Sequence, residues 1–190
     1  GHAEWLKHTR GESGLSVVIG YDVRRFTDIN GTLDVSIPTP INGITSRNFS
    51  EIAAEIYAAH EITVYLPPEG AVLSTPELSF AVRALNADGG LVISASHNPP
   101  DDNGSKFYHH HGGQLVPPFD EEMGAWVSDA DRIERMSLDR AVANGLIREI
   151  PSSVHDEYIE KNLAVSRTPE HRGTHIVFKK DMTSPLSCNT

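Results

Sequence analysis

Apolar positions along the chain fall into two spacings that alternate. LSVVIGYD (15–22) is an unbroken apolar run closed by Gly-Tyr-Asp, the pattern of a buried strand. SRNFSEIAAEIYAAH (46–60) follows with Ile52, Ile56 and Ala59 at helical spacing, and Asn48 with Glu51 three residues on resembles a capping pair. EITVYL (61–66) is the next strand. STPELSFAVRALNA (74–87) is a second helix, with Thr75 suited to the N-cap, Pro76 to the first turn, and Leu78, Val82 and Leu85 on one stripe. GGLVISAS (89–96) is the third strand. Strands alternating with helices of this length predict βαβ crossovers, hence an α/β fold with a largely parallel sheet and helices on both faces.

The flanks are less regular. AEWLKH (3–8) reads as a helix, and KFYHHHGGQLV (106–116) as a hairpin turning at Gly112-Gly113. PPFDEEMGAWV (117–127) opens a helix with proline at its start and acidic residues in its first turn. Residues 128–150 carry no period and are expected to be irregular; SSVHDEYIEKNLA (152–164) is a final helix. Residues 26–45 hold Asn30-Gly31 and Asn42-Gly43 around a short β-prone run, which predicts a hairpin-like excursion between the first strand and its helix. THIVF (174–178) is strand-like, and the pattern is then lost, so the end of the chain is expected to be a disordered tail or the start of an unfinished element.

Composition narrows the class. A chain of 190 residues suits one domain with a respectable core, or one domain and a fragment of a second. With 16 basic against 26 acidic residues the net charge is −10, which argues against nucleic acid or an anionic membrane as partner. A phosphorylated substrate is still compatible, because a local pocket of donors can oppose the global sign. The single cysteine, Cys188, cannot form an internal disulfide, so a cytoplasmic setting is expected. No apolar run approaches membrane-spanning length, and GHAEWLKHTRG lacks the apolar core of a signal peptide. Asn30, Asn48 and Asn103 each begin an N-x-S/T triplet, a chance match in a cytoplasmic chain.

The candidate chemistry lies in SASHNPPDDNGSKFY (94–108), an aperiodic polar stretch beyond a buried strand. Ligands of open α/β sheets gather beyond the carboxyl ends of strands. Ser96 is a weak nucleophile unless charge or a base is arranged around it. His97 and Asn98 supply proton-transfer and hydrogen-bonding groups, Pro99 and Pro100 stiffen the backbone, and a turn at Asn103-Gly104 would return Lys106 toward the serine. A phosphate carried on Ser96 and faced by Lys106 fits this arrangement. A hydrolase triad fits poorly, since no glycine flanks the serine and the histidine is its direct neighbour. A turn rich in Ser, Asn and Pro with no chemistry accounts for the same composition.

GLVISASHNP (90–99) resembles the phosphoserine signature of the α-D-phosphohexomutases, the phosphoglucomutases and phosphomannomutases. The resemblance continues through DDNGSKFY (101–108) and extends back to VVIGYDVR and STPELSFAVRALNADGG. It covers roughly residues 15–127, more loosely to 163, and its closest flavour is the phosphoglucomutase/phosphopentomutase branch. It implies the first domain of that family, a three-layer αβα sandwich with a mixed, mostly parallel sheet over residues 1–163. Residues 26–45 would then be an insertion and 164–190 a linker with an aborted start of a second domain. Since the family's enzymes have four domains and an N-terminal Arg-Gly segment, the chain is expected to be truncated at both ends and to lack turnover alone. The implied activity is intramolecular phosphotransfer between hexose 1-phosphate and hexose 6-phosphate, in carbohydrate metabolism. Ser96 would carry the phosphate and give Mg²⁺ one oxygen through it, with a sugar bisphosphate as activator. His97 and Lys106 would stand near the transferred group; Asn98 beside them and Arg24 beyond another strand are candidate phosphate contacts by their chemistry and place. The alternative is a non-catalytic phosphate-binding or phospho-accepting remnant. The oligomeric state is left open.

Two further motifs carry weaker chemistry. SDADR (128–132) echoes half of the family's metal loop, but Asp129 and Asp131 supply only two carboxylates, so a solvated helix terminus is expected. His109, His110 and His111 are adjacent, and side chains alternate across a strand, so three surface histidines are expected rather than one metal site. Arg24 and Arg25, at another strand's carboxyl end, are each as well suited to a structural salt bridge as to phosphate.

Overall fold

A computed structural model describes residues 1–34 and 36–165. The expectations placed on 166–190, the strand-like 174–178 among them, lie outside the described residues.

Five strands form one sheet in the order β4-β3-β1-β2-β5: β1 Ser16–Tyr21, β2 Thr63–Leu66, β3 Gly89–Ile93, β4 Ser105–His109 and β5 Ile147–Glu149. β3, β1, β2 and β5 are parallel, while β4 runs antiparallel to β3 with Lys106 opposite Val92 and Phe107 opposite Leu91. The sheet is thus mixed and mostly parallel, as expected. Its middle strand β1 is almost wholly buried, because helices cover both faces.

One face is covered by α1 His2–Arg10, α2 Ser46–Ala59, α4 Phe119–Ser128 and α5 Leu138–Ala143, whose core includes Trp5, Leu6, Ile19, Tyr57, Leu91 and Met123. The other is covered by α3 Thr75–Ala84 and α6 Ser152–Ala164, around Val18, Leu78, Val82, Val92 and Tyr108. α3 lies close to the sheet because β1 and β3 are bare where it crosses. A Cβ on Gly90 would stand 2.9 Å from Val82 Cγ2 and 3.0 Å from Leu78 Cδ2. Among the described residues, no helix is long and apolar enough to cross a membrane.

Several local expectations are corrected. The α2 cap lies three residues earlier than expected: Thr45 is the N-cap and forms a capping box with Asn48, while Glu51 pairs with Arg47 at 2.8 Å. Its buried face is also different, because close approach to the sheet selects the small side chains Ser46, Ser50, Ala54 and Ala58 together with Tyr57. Ile52 is exposed and Ile56 half-buried, and both line a groove of about 570 Å³ shared with Phe107 and Ile133. The α3 cap is Ser74, one residue before Thr75; Leu78 and Val82 are buried as expected. Residues 128–150 are not wholly irregular, since they contain α5 and β5. Those elements span six and three residues, too short to show a period. The expected reversal at Gly112-Gly113 is present, with the His109 N–H donating to the Gly113 carbonyl at 2.8 Å.

His2 lies inside the α1 face, its Nδ1 2.5 Å from the Tyr57 phenol oxygen, and burial pushes its pKa down to about 3. The neutral ring is therefore the folded form. A histidine depressed in the fold stabilises fully above its unfolded pKa of about 6.5 and loses that contribution as pH falls toward the folded value. His2→Phe is expected to be less stable at pH 7 but to have a flatter stability curve between about pH 6.5 and 4, read from urea melts across that range. Gly90→Val is expected to cost roughly 1–3 kcal/mol by driving apart α3 and β3, measured in the same melts.

Candidate active site

Three segments converge beyond the carboxyl ends of β1 and β3: residues 22–29, the N-terminus of α2, and the loop 94–104 that joins β3 to β4. The backbone dictates where Ser96 stands. The Asn98 N–H donates to the Ala95 carbonyl at 3.0 Å, closing a turn in which Ser96 takes a left-handed φ of 53°. A non-glycine residue persists there only where its surroundings over-determine it. The result is an exposed Ser96 hydroxyl on the rim of the sheet.

Lys106 meets it. β4 pairs antiparallel with β3, so Lys106 lies one residue inside the strand and shares a face with its partner Val92. Its ammonium donates to Ser96 Oγ at 2.6 Å. The expected turn at Asn103-Gly104 does not make this contact. Gly104 has no left-handed φ, its carbonyl accepts from the Ser94 N–H at 2.9 Å, and the Asn103 side chain donates instead to Ser46 Oγ at 2.9 Å. Register between two strands, rather than a tight turn, brings lysine to serine.

Arg24 makes the structural salt bridge that was expected of it as readily as a phosphate contact. Its guanidinium donates to the carbonyls of Ser96 at 2.7 Å, Asn98 at 3.0 Å, Pro99 at 2.5 Å and Asp102 at 3.2 Å, and pairs with Asp22 at 3.0 Å. Only 10% of the side chain is exposed. Arg24 holds the loop from within. Burial pushes the Asp22 carboxyl up, but hydrogen bonds from Ser46, Ser94 and the Arg24 backbone outweigh it and hold the group below the ordinary carboxylate range. Asp22 therefore stays charged beside the guanidinium, and through the Ser46 hydroxyl at 2.7 Å it ties β1 to α2.

His97 and Asn98 are exposed beside Ser96. Among the described residues the His97 ring makes no hydrogen bond, while the Asn98 amide donates to Asp102 Oδ2 at 3.2 Å. Arg25 neighbours Gly43 at the base of the excursion. Asp22, Ser46, Ser94 and Asp101 carry no sequence signal beyond the polar residue that closes a strand in Gly-Tyr-Asp, and Asn103 is marked in the sequence only as a turn residue.

The other motifs stand apart from Ser96. Asp129 caps α4, and Arg132 pairs with Glu134. His110 and His111 are exposed, but His109 is half-buried, its ring edge-on to Phe119 at 4.8 Å between centroids and 6.3 Å from Trp5. The expectation of three surface histidines is thus corrected for His109, which the apolar faces of α1 and α4 cover. Among the described residues no group of three His, Cys, Asp or Glu side chains could hold a metal ion.

Residues 43–134 match the family described as phosphoglucomutase/phosphomannomutase, alpha/beta/alpha domain I. A phosphoglucomutase of Staphylococcus aureus (strain USA300) is 35% identical over 146 residues, which is 76% of this chain and 23% of the relative. The chain thus spans about a quarter of the length of the curated relatives it matches. A Thermus thermophilus protein described as a phosphomannomutase superposes with a TM-score of 0.52 at 28% identity, over 72% of this chain and 26% of that one. A phosphoglucomutase/phosphomannomutase family protein from Burkholderia thailandensis shares the fold, with a TM-score of 0.55 at 22% identity over 86% of this chain and 30% of that one.

The left-handed turn yields a test of strain. Ser96→Gly is expected to leave the melting temperature unchanged or raise it, by the equivalent of up to about 1 kcal/mol, since glycine occupies that φ freely. A clear drop in calorimetric melting temperature would show that the Lys106 contact outweighs the strain.

Proposed function

We propose, from the match of residues 43–134 to a phosphoglucomutase/phosphomannomutase domain I, that Ser96 is the phosphoryl-carrying hydroxyl of a phosphohexomutase. The activity proposed is intramolecular phosphotransfer, interconverting hexose 1-phosphate and hexose 6-phosphate by way of a phosphoserine. One observation supports it above the others: an exposed serine hydroxyl on a left-handed turn, with a lysine ammonium at 2.6 Å.

In the loading step Ser96 Oγ attacks the phosphorus of a sugar bisphosphate, the bond from phosphorus to the sugar oxygen breaks, and the serine proton ends on that departing oxygen. The reverse step hands the phosphoryl group to a hydroxyl of a hexose phosphate. Phosphoryl transfer depends on positioning and on stabilising spread negative charge more than on covalent help. Lys106 supplies that charge at the serine oxygen. His97, exposed and uncommitted among the described residues, is the proposed proton carrier between serine and sugar oxygens. Asn98 would contact phosphate by exchanging its 3.2 Å bond to Asp102. Arg24 serves by fixing the loop.

The described residues do not themselves build a magnesium site. Phosphate on Ser96 would offer a magnesium ion one hard oxygen ligand.

The test is intact mass after incubation with glucose 1,6-bisphosphate. The expected result is a gain of one phosphoryl group that is absent in Ser96→Ala and about a hundredfold slower to appear in Lys106→Ala. The 190-residue chain alone is expected to take up phosphate without converting glucose 1-phosphate to glucose 6-phosphate in a coupled assay. Phosphate uptake that persisted in Ser96→Ala would refute the assignment, and rapid conversion by the chain alone would refute the expectation of no turnover.

A further inference from the structure

Among the described residues, one side chain fastens the excursion between β1 and α2 to the Ser96 loop. Asp101 Oδ1 accepts from the Thr27 backbone N–H at 2.7 Å and from its hydroxyl at 3.2 Å, and Oδ2 accepts from the Ile29 N–H at 2.7 Å. Both oxygens of this carboxylate thus face residues 27–29. In sequence, Asp101 falls between Pro99 and Asp102, two of the residues whose carbonyls Arg24 holds. The loop is therefore gripped by a cation on its carbonyl side and, through an anion of its own, by the amides of the excursion.

The excursion has little means of touching a phosphate itself. Its charged residues are Asp28 and Asp34, and it contains no lysine or arginine. Asp28 is occupied by the Thr32 and Leu33 amides, and Asp34 by Ser36. Its two ends meet, with the Phe26 N–H donating to the Ile44 carbonyl at 2.8 Å and the Gly43 N–H to the Phe26 carbonyl at 2.9 Å. Residues 27–43 are thus a closed lobe, and Asp101 couples it to the loop bearing a residue of left-handed φ that needs its surroundings to keep it there.

Resting on the assignment of Ser96 as phosphoryl acceptor, we propose that Asp101 is a positioning residue that pins the 27–43 lobe to the loop and so holds Ser96 in its accepting geometry. The lobe then acts on the reaction without touching substrate. A misplacement of about 1 Å in a reacting group can cost on the order of a hundredfold in rate, so partial release of this fastening is expected to cost about tenfold.

The rate of Ser96 phosphorylation by glucose 1,6-bisphosphate, followed by intact mass, tests this in the full chain alongside the melting temperature. Asp101→Ala is expected to slow phosphorylation about tenfold at an unchanged melting temperature. Asp101→Asn, which keeps one acceptor oxygen, should fall between that variant and the wild type. Replacing residues 27–43 by Gly-Gly, which removes Thr27 and Ile29 together, should slow the reaction to the same extent, and adding Asp101→Ala to that deletion should slow it no further. Wild-type rate in Asp101→Ala, multiplicative losses in the combined variant, or rates that follow melting temperature across the series would each overturn the positioning role while leaving Ser96 as acceptor. A wild-type chain that takes no phosphate would bring down both.

Discussion

The site depends on the guanidinium of Arg24. Four carbonyl oxygens of one loop converge on it, and carbonyl dipoles aimed at a common point repel unless a cation stands there. Asp22 balances that cation at 3.0 Å, so the charge is held in a nearly buried place without being left unpaired. The planar fork of arginine matters: it offers several donors at fixed angles, which a lysine ammonium on a flexible stem would not reproduce. The path of residues 96–102 follows from this contact.

Given that path, the rest of the geometry follows with few further constraints. The turn places Ser96 in a conformation that an L-residue avoids when free, and the hydroxyl consequently leaves the sheet edge rather than packing onto it. The antiparallel β4 delivers Lys106 from the opposite direction, with register set by the pairing of Ser105 with Ile93 and of Lys106 with Val92. A parallel strand would have carried its neighbouring side chains in from the other end of the sheet. The single antiparallel edge of an otherwise parallel sheet is thus what joins the cation to the hydroxyl.

Charge is arranged locally against the global balance. The chain carries a net −10, yet the partner of Ser96 Oγ in the hydrogen-bond network is a lysine nitrogen. The acids of the neighbourhood are turned to other tasks: Asp22 to Arg24 and Ser46, Asp101 to the amides of Thr27 and Ile29, Asp102 to Asn98. Asp22 and Asp101 thus accept from donors that the proposed reaction does not use.

Periodicity alone determined the alternation of strands and helices from residue 15 to 93 and therefore the α/β class, because buried strands and amphipathic helices write different spacings. It also located the loop after β3, and the identity of its residues singled out Ser96, His97 and Lys106. Elements shorter than two helical turns escaped it, as α5 and β5 did, and so did the buried face of α2. There small residues were chosen by how closely the helix approaches the sheet, which no hydropathy pattern records. Tertiary structure alone decided that Arg24 gathers the carbonyls of the loop, that strand register rather than an Asn-Gly turn brings Lys106 to Ser96, and that Asp101 fastens the excursion. Each of these contacts joins segments set well apart along the chain, and a donor's partner is settled by which acceptor atoms folding brings within about 3 Å of it.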